Sequence, residues 1–161
     1  LTLAKYIDLW LETVAPSKLA KSTIRRDRQD IERILPVLGH YKLTELRPEH
    51  FRSFYAELRK VIRPDTKKPL SEYTTEGVHA TLCSILSDAV EGGFLSHNPA
   101  WRTYRYAGRK CEKKIADEET AQKIIAALEG ESIKYETYFK LIIATGMRRG
   151  ECCGLKWCDI D

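Results

Sequence analysis

Two adjacent arginines, Arg148 and Arg149, follow a Thr-Gly break and precede Glu151 in the segment ATGMRRGECCGLKWCDID. Arg148 and Glu151 are three residues apart, so on a helical turn they can be neighbours and the carboxylate can orient the guanidinium. Arg149 points about 100° away around the helix. A guanidinium held in this way suits a phosphate, because its planar fork donates two hydrogen bonds and keeps its proton. The alternative is an ordinary Arg–Glu pair at the surface of a helix start.

Basic residues concentrate in two further segments, AWRTYRYAGRKCEKK at 100–114 and PSKLAKSTIRRDRQ at 16–29. The first contains six Lys or Arg residues against one Glu, while the net charge of the whole chain is only +4. Because neutralised phosphates release their counterions together, clustered cations indicate a polyanion as the partner. The alternative is a solvated charged surface without a partner.

Length and composition exclude several classes of protein. With 161 residues, 43% of them hydrophobic and 31% charged, the chain is predicted to be globular, with one domain or a small domain and part of another. No apolar run reaches the roughly 18 residues of a membrane helix, and no signal peptide opens the chain, so we expect a cytoplasmic piece of a longer protein. The five cysteines have no regular spacing, which indicates neither a disulfide framework nor a metal site.

The apolar pattern predicts four helices before residue 100 and almost no strands. The first helix is predicted to begin at Thr2 and end at Pro16, and the second to begin at Ser22 or Thr23 and end at Gly39. The third is predicted to begin at Pro48 and end at the loop 63–71, and the fourth to begin at Ser71 and end at Gly92. The side chains predicted to face inward are Leu3, Tyr6, Ile7, Trp10, Val14, Ile24, Ile31, Ile34, Leu35, Leu38, Phe51, Phe54, Tyr55, Leu58, Val78, Leu82, Ile85, Leu86 and Ala89. The second helix is expected to expose Arg25, Arg26 and Arg28.

Two more helices are predicted after a segment without apolar periodicity. Asp117 is the expected cap of EETAQKIIAAL, and a second helix runs from about Lys134 to Thr145. The second is apolar nearly all round, so we expect it to be the central helix of a core. The basic segment between the two groups of helices has the composition of an interdomain linker.

The segment TGMRRGECCGLKWCDID resembles the first active-site box of the tyrosine recombinases, or phage integrases. In that box a Thr-Gly, an apolar residue, the catalytic Arg, two variable residues, a Glu and a Leu-x-Trp-x-Asp-Ile run follow one another. Upstream, LGHYKLTELRPEHFRSFYAELR is similar to the family's turn into a helix, and LSEYTTEGVHATLCSILSDAVEGGFLSHNPA to the helix that ends in Asn-Pro before the linker. KKIADEETAQKIIAAL resembles the start of the catalytic domain.

The resemblance implies an all-α chain in two parts. Residues 1–100 would form a four-helix, SAM-like core-binding domain, and residues 101–114 a basic linker. Residues 115–161 would be the first helices of a truncated α+β tyrosine recombinase catalytic domain. The implied partner is double-stranded DNA, on which four protomers of the parent assemble across two sites. The resemblance implies no membrane partner, no small-molecule substrate and a nucleoid-associated location.

The resemblance also implies roles for single residues. Arg148 would be the catalytic Arg, Glu151 its supporting residue, and Arg149 a variable position. In the family a tyrosine attacks the scissile phosphate to give a 3′-phosphotyrosyl link, without a metal or other cofactor. That tyrosine, a lysine and a His-x-x-Arg box all follow the first Arg, whereas all eight tyrosines here precede Arg148. The nucleophile is therefore none of them, and we expect this chain to bind DNA without cutting it.

Two helix starts and the linker supply candidate DNA contacts. The candidates are Lys18, Lys21, Ser22, Thr23, Arg25 and Arg26 at the second helix, Lys67, Lys68, Ser71, Tyr73, Thr74, Thr75 and His79 at the fourth, and Arg102, Arg105, Arg109 and Lys110 in the linker. For Thr74 and Thr75 the alternative is helix capping, and for His79 it is a packed or solvated ring. The linker aromatics could instead pack against the preceding domain.

Two other functions remain open from the sequence. The chain could be a non-catalytic DNA-binding or regulatory module that kept the helical domain and lost the chemistry. It could also be a helical protein-interaction domain with a charged linker, which predicts no salt-dependent affinity for DNA.

Overall fold

A computed structural model describes residues 1–62, 67–105 and 117–159. The chain divides into two compact units, Leu1–Arg109 and Lys110–Asp161. Across the described residues there is no β-strand, and only isolated bridges join Thr2 to Lys42 and Ile62 to Pro69. The prediction of a helical chain is therefore confirmed.

The first unit contains the four predicted helices and one short additional helix. Its elements are α1 Leu3–Thr13, α2 Ala15–Lys18, α3 Lys21–Leu38, a 3₁₀ turn Leu43–Glu45, α4 Pro48–Leu58 and α5 Glu72–Glu91. The side chains predicted to face inward are buried in one core, except Val14, Ile24 and Leu35, which are partly buried and pack against it. Complete burial of a large apolar side chain contributes about 1.5–3 kcal/mol, so this core stabilises the first unit.

Helix α3 and helix α5 form the most extensive helix pair of the first unit. Lys18, just before α3, bonds to Asp88 near the end of α5, and Asp30 further along α3 bonds to Thr81. The two helices are therefore antiparallel, and their N-terminal ends lie at opposite ends of the pair.

Two predicted helix boundaries are wrong. Neither Ser22 nor Thr23 caps α3, because the helix already begins at Lys21 and Ala20 holds the extended cap position without a side-chain bond. The short helix α2 ends just before Ala20, so the chain turns into α3 earlier than the side-chain signal indicated. Pro16 does not end a helix either. It lies in the first turn of α2, where the N–H that proline lacks has no helical partner.

The second unit contains α6 Glu118–Ala127, α7 Ile133–Thr145, α8 Arg149–Gly154 and a 3₁₀ turn Trp157–Asp159. Asp117 caps α6 as predicted, since its carboxylate accepts a bond of 2.9 Å from the Thr120 N–H. Hydrogen bonding from Thr120 holds the pKa of Asp117 below its usual value. Helix α7 ends at Gly146, whose left-handed φ of 69° turns the chain into α8.

The prediction that α7 is the central helix of a core is wrong for the described residues. None of its side chains is buried, and Tyr135 and Phe139 expose 55% and 43% of their surface. An all-round apolar helix needs neighbours on every side. Its described neighbours, α6 and the six-residue α8, are short and leave much of α7 uncovered.

Candidate nucleic-acid interface

Arg148 and Glu151 are paired at the start of α8. Arg148 precedes the helix with an extended backbone, and its N–H donates to Glu151 Oε2 over 2.9 Å. Its Nη1 donates to Glu151 Oε1 over 3.1 Å. One carboxylate therefore fixes both the backbone and the guanidinium of Arg148, as the three-residue spacing predicted. The Arg148 side chain is 87% exposed, so the rest of its guanidinium is open to an anion.

The first turns of α3 carry an exposed basic surface. Lys21, Ser22, Arg25 and Arg26 are exposed, while Thr23 is half-buried. Within the part of the chain that the structure describes, no carboxylate lies within ion-pair distance of Lys21 or Arg25. These two cations therefore keep their charge available for a polyanion.

Unlike Lys21 and Arg25, Lys18 is paired with carboxylates. Its Nζ donates to Asp88 Oδ1 over 2.6 Å and to Glu91 Oε2 over 2.8 Å, and these bonds raise the pKa of Lys18. Trp10 Nε1 donates to the other oxygen of Asp88 over 2.6 Å. Lys18 thus helps to hold α1 and α2 against the end of α5. Its role is structural, and its charge is already paired with carboxylates.

The start of α5 mixes exposed residues with capping residues. Ser71 is the cap, because its hydroxyl accepts a bond of 3.1 Å from the Thr74 N–H. Thr75 is completely buried and donates to the Ser71 carbonyl, so capping and packing describe it better than contact with a partner. Lys67, Lys68 and Tyr73 are exposed.

His79 packs inside a small aromatic cluster. Its Nδ1 is hydrogen-bonded to the Tyr55 hydroxyl over 2.9 Å, and its ring lies 5.5 Å from the Tyr104 ring. Burial lowers the pKa of His79. The neighbouring thiol of Cys83 lies with its Sγ 3.5 Å from His79 Nε2, and burial raises the pKa of Cys83 to about 11. The packed alternative for His79 is therefore the one that the structure supports.

Residues 98–104 pack along α5. The Asn98 amide donates to the Cys83 carbonyl and the Ser87 hydroxyl, each over 2.9 Å. Further along, the Tyr104 hydroxyl donates to the Glu72 carboxylate, and Arg59 lies 5.3 Å above the Tyr104 ring. The packing alternative thus holds for Tyr104. Arg102 and Arg105 have no such role: Arg102 is exposed at a left-handed φ of 59°, and Arg105 is exposed.

Two predicted contacts, Arg109 and Lys110, lie outside the described residues. In the described ranges no group of three or more His, Cys, Asp or Glu side chains could hold a metal ion. Among the same residues no helix is long and apolar enough to cross a membrane.

Sequence reasoning missed a buried polar cluster between α3 and α5. Asp27 and Asp30 are only 3% and 6% exposed, and the Thr81 hydroxyl bonds to both, over 3.4 Å and 3.1 Å. Burial raises the pKa of Asp30. A signal was present, because Asp27 stands one helical repeat before the inward-facing Ile31 and so continues the buried stripe.

Comparisons with known proteins agree with this architecture. The family model described as "Phage integrase, N-terminal SAM-like domain" matches residues 2–59, and the model described as "Phage integrase family" matches residues 114–161. An integrase of Saccharopolyspora erythraea is 28% identical over 97% of this chain and 34% of its own length. A tyrosine recombinase XerC-like protein of Caldanaerobacter subterraneus subsp. tengcongensis is 35% identical over 56% of this chain and 24% of its own length.

Solved structures have the same fold. A lambda integrase(75-356) dimer bound to a COC′ core site matches all of this chain with a TM-score of 0.74 at 20% identity, over 56% of that chain. A lambda integrase tetramer bound to a Holliday junction matches with a TM-score of 0.74 at 19% identity, over 45% of that chain. These structures share the fold, and the two phage integrase models match residues in both units of this chain. The protein belongs to the tyrosine recombinase, or phage integrase, family. The chain spans about a third or less of the length of the two relatives described above.

Proposed function

We propose that this chain is the DNA-binding part of a site-specific tyrosine recombinase whose parent cuts and rejoins DNA through a 3′-phosphotyrosyl intermediate. The observation that carries the proposal is the Arg148–Glu151 pair, which lies in the segment matched by the phage integrase model and holds an exposed guanidinium at a helix start. Two structural neighbours, an integrase dimer bound to a core site and an integrase tetramer bound to a Holliday junction, support the choice of DNA as the partner.

In this proposal Arg148 stabilises the negative charge that develops on the scissile phosphate. A fixed guanidinium does this without reorganising during the reaction, and it stays charged at any working pH. Glu151 acts through Arg148, because it accepts from both the backbone and the side chain of that residue. The family order places the nucleophilic tyrosine after Arg148, so the 161-residue chain is expected to bind DNA and leave it intact.

The proposed DNA surface combines the exposed residues of the two antiparallel helices. Its members are Lys21, Ser22, Arg25 and Arg26 of α3, Lys67, Lys68 and Tyr73 at the start of α5, and Arg102 and Arg105. Thr74 is left out because it is half-buried and bonded to the Ser71 hydroxyl. Ser71 caps the start of α5, and Asp88 lies beside the start of α3, so the two helix starts are separated by a helical rise of about 25 Å. The cations at these two starts could therefore contact phosphates on one face of a duplex. Lys18, Thr75 and His79 are left out because they are paired or packed. Most members would position the protein on the DNA backbone.

The proposed domain bounds follow from the resemblance to the phage integrases and from the basic composition of the linker. Residues 1–100 would be the core-binding domain and residues 115–161 the beginning of the catalytic domain, joined by a basic linker over 101–114. Within this linker, the Tyr104 hydroxyl bonds to Glu72 of the first unit. Four protomers of the parent would assemble on two DNA sites, and the protein would be found at the nucleoid.

The experiment uses the parent protein on a nicked duplex that traps the covalent intermediate. Arg148→Lys should reduce trapping by at least about 100-fold, because a point charge cannot replace the fork at the phosphate. Arg149→Ala is the matched control, since the neighbouring side chain points to another side of α8 and trapping should persist. Equal trapping by the wild type and Arg148→Lys, with both proteins folded, would overturn the catalytic part of the proposal.

A further inference from the structure

A groove of about 270 Å³ lies between α3 and α5, and its walls carry opposite charges. Arg26 comes from α3, whereas Tyr73, Glu76, Gly77 and Ala80 come from α5. Gly77 and Ala80 are small, and a Cβ at Gly77 would meet only Asp30 Oδ2 at 3.9 Å. The α5 side of the groove is therefore flat enough for a planar group to approach closely.

Arg26 is held in place by a carboxylate buried beneath it. Its Nε and Nη2 donate to Asp27 Oδ1 over 3.3 Å and 3.0 Å. The Asp27 side chain is 5% exposed, and the Thr81 hydroxyl also bonds to it. One edge of the guanidinium is thus fixed against α3, while Nη1 has no hydrogen-bond partner in the described part of the chain. Such support keeps an exposed arginine in one orientation, ready for a second acceptor.

The charges in the groove favour a base pair over a phosphate. No ion pair within 4.0 Å joins Arg26 to Glu76 among the described residues, so neither charge cancels the other directly. A phosphate at Arg26 would also meet the Glu76 carboxylate, which repels it. In the major groove a G·C pair presents the N7 and O6 acceptors of guanine beside the N4 donor of cytosine. A guanidinium and a carboxylate side by side match that pattern.

We propose that the Arg26–Glu76 groove reads a G·C base pair in the major groove of the target DNA, with Asp27 as the positioning residue for Arg26. The proposal rests on the proposed function, that this chain binds duplex DNA. Arg26 donates to guanine and Glu76 accepts from cytosine. Lys21, on the preceding turn of α3, and Arg25, next to Arg26 in sequence, hold the flanking phosphates and set the register.

The test selects bound sequences from a duplex pool with a randomised centre, using the 161-residue chain. The wild type should enrich a G·C pair at one defined position. Arg26→Ala and Glu76→Ala should each lose roughly five- to 150-fold of the discrimination at that same position, which is the usual value of one base contact. Asp27→Asn should weaken the same preference while the salt dependence of binding stays as in the wild type.

Arg28→Ala is the matched control, because Arg28 is an exposed arginine of α3 that does not line the groove. Arg28 lies outside the proposed DNA surface, so this variant should keep the G·C preference of the wild type. If the wild type binds DNA and Arg26→Ala retains the full preference, the base-reading proposal is overturned while the proposed function stands. If the wild type shows no salt-dependent binding to the pool, both proposals fail. The thermal unfolding of Asp27→Asn shows whether this variant is folded and has lost only the orientation of Arg26. If Asp27→Asn does not fold, the base preference of Arg26→Ala, a substitution at an exposed site, tests the proposal.

Discussion

Helices α5 and α7 are both rich in apolar side chains, yet only α5 is buried. Val78, Leu82 and Ile85 of α5 are completely covered, whereas Tyr135 and Phe139 of α7 remain largely exposed. Helix α5, of 20 residues, lies against the 18-residue α3, while α7 has only short described neighbours. Apolar composition therefore marks a helix that needs neighbours, and the neighbours decide whether it is buried.

The contrast between the two units predicts the largest difference in stability. Phe51→Ala, at a completely buried site of the first unit, should lower the free energy of unfolding by about 3–5 kcal/mol, because it removes a core ring and leaves a cavity. Phe139→Ala, at a partly exposed site of the second unit, should cost no more than about 1 kcal/mol. Urea denaturation followed by circular dichroism measures both. Equal losses would contradict the comparison.

The ion pair that joins α2 to α5 should give the next largest effect. Asp88→Asn leaves the Trp10 N–H and the Lys18 ammonium with a weaker acceptor, so we expect a loss of about 1–3 kcal/mol. Glu91→Gln is the control. This second partner of Lys18 is 69% exposed, so its loss should cost less than about 1 kcal/mol. A larger loss of unfolding free energy for Glu91→Gln than for Asp88→Asn, measured by urea denaturation, would mean that Asp88 is not the main stabilising partner of Lys18.

Cysteine reactivity should separate the two units by rate. Burial raises the pKa of Cys83 in the first unit to about 11, while Cys153 and Cys158 in the second unit are exposed. At pH 8, iodoacetamide should alkylate Cys153 and Cys158 at least about ten times faster than Cys83, as peptide mass spectrometry can measure. Comparable rates would indicate that the first unit opens readily.

The same thiol predicts a pH dependence. The folded pKa of Cys83 lies above its ordinary value of 9.0, so the unfolded chain loses this proton first. The contribution of Cys83 to stability is therefore complete below pH 9 and falls as the pH rises towards about 11. Cys83→Ala should flatten this part of a plot of melting temperature against pH, and an unchanged slope would assign the decline to other groups.

The smallest effect is expected where the first unit meets the linker. Tyr104→Phe removes the bond to Glu72 and keeps the ring under Arg59, so it should cost about 1 kcal/mol or less. Trypsin should then cleave faster after Arg102 and Arg105. Tyr73→Phe, which changes an exposed tyrosine of α5, is the control and should leave the cleavage rate unchanged.

Most of the first unit could be predicted because its helices obey a simple period. The inward residues of α5 and the caps Thr2 and Ser71 follow from spacing and side-chain chemistry alone, and so does the cap Asp117 of the second unit. The start of α3 could not be predicted in this way, because the end of α2 sets it and no side chain caps it.

The candidate site was predicted in part. The Arg148–Glu151 contact follows from a three-residue spacing, but the pairing of Lys18 with Asp88 joins residues 70 positions apart, which a local pattern does not reveal. For the same reason the sequence did not separate the exposed Arg25 from the paired Lys18, although both lie in one basic segment. Asp27 was not predicted to be buried, because a carboxylate is rarely buried without a partner and its partner Thr81 lies 54 positions away in the sequence.

The most direct test of the account is the salt dependence of duplex DNA binding by the 161-residue chain. The logarithm of the association constant should fall linearly with the logarithm of salt concentration, and Arg25→Ala should make the slope shallower by about one phosphate contact. Lys18→Ala should leave the slope unchanged, since Asp88 and Glu91 already neutralise that ammonium. Affinity that is absent at low salt, or a slope that Lys18→Ala changes and Arg25→Ala does not, would contradict the proposed DNA surface.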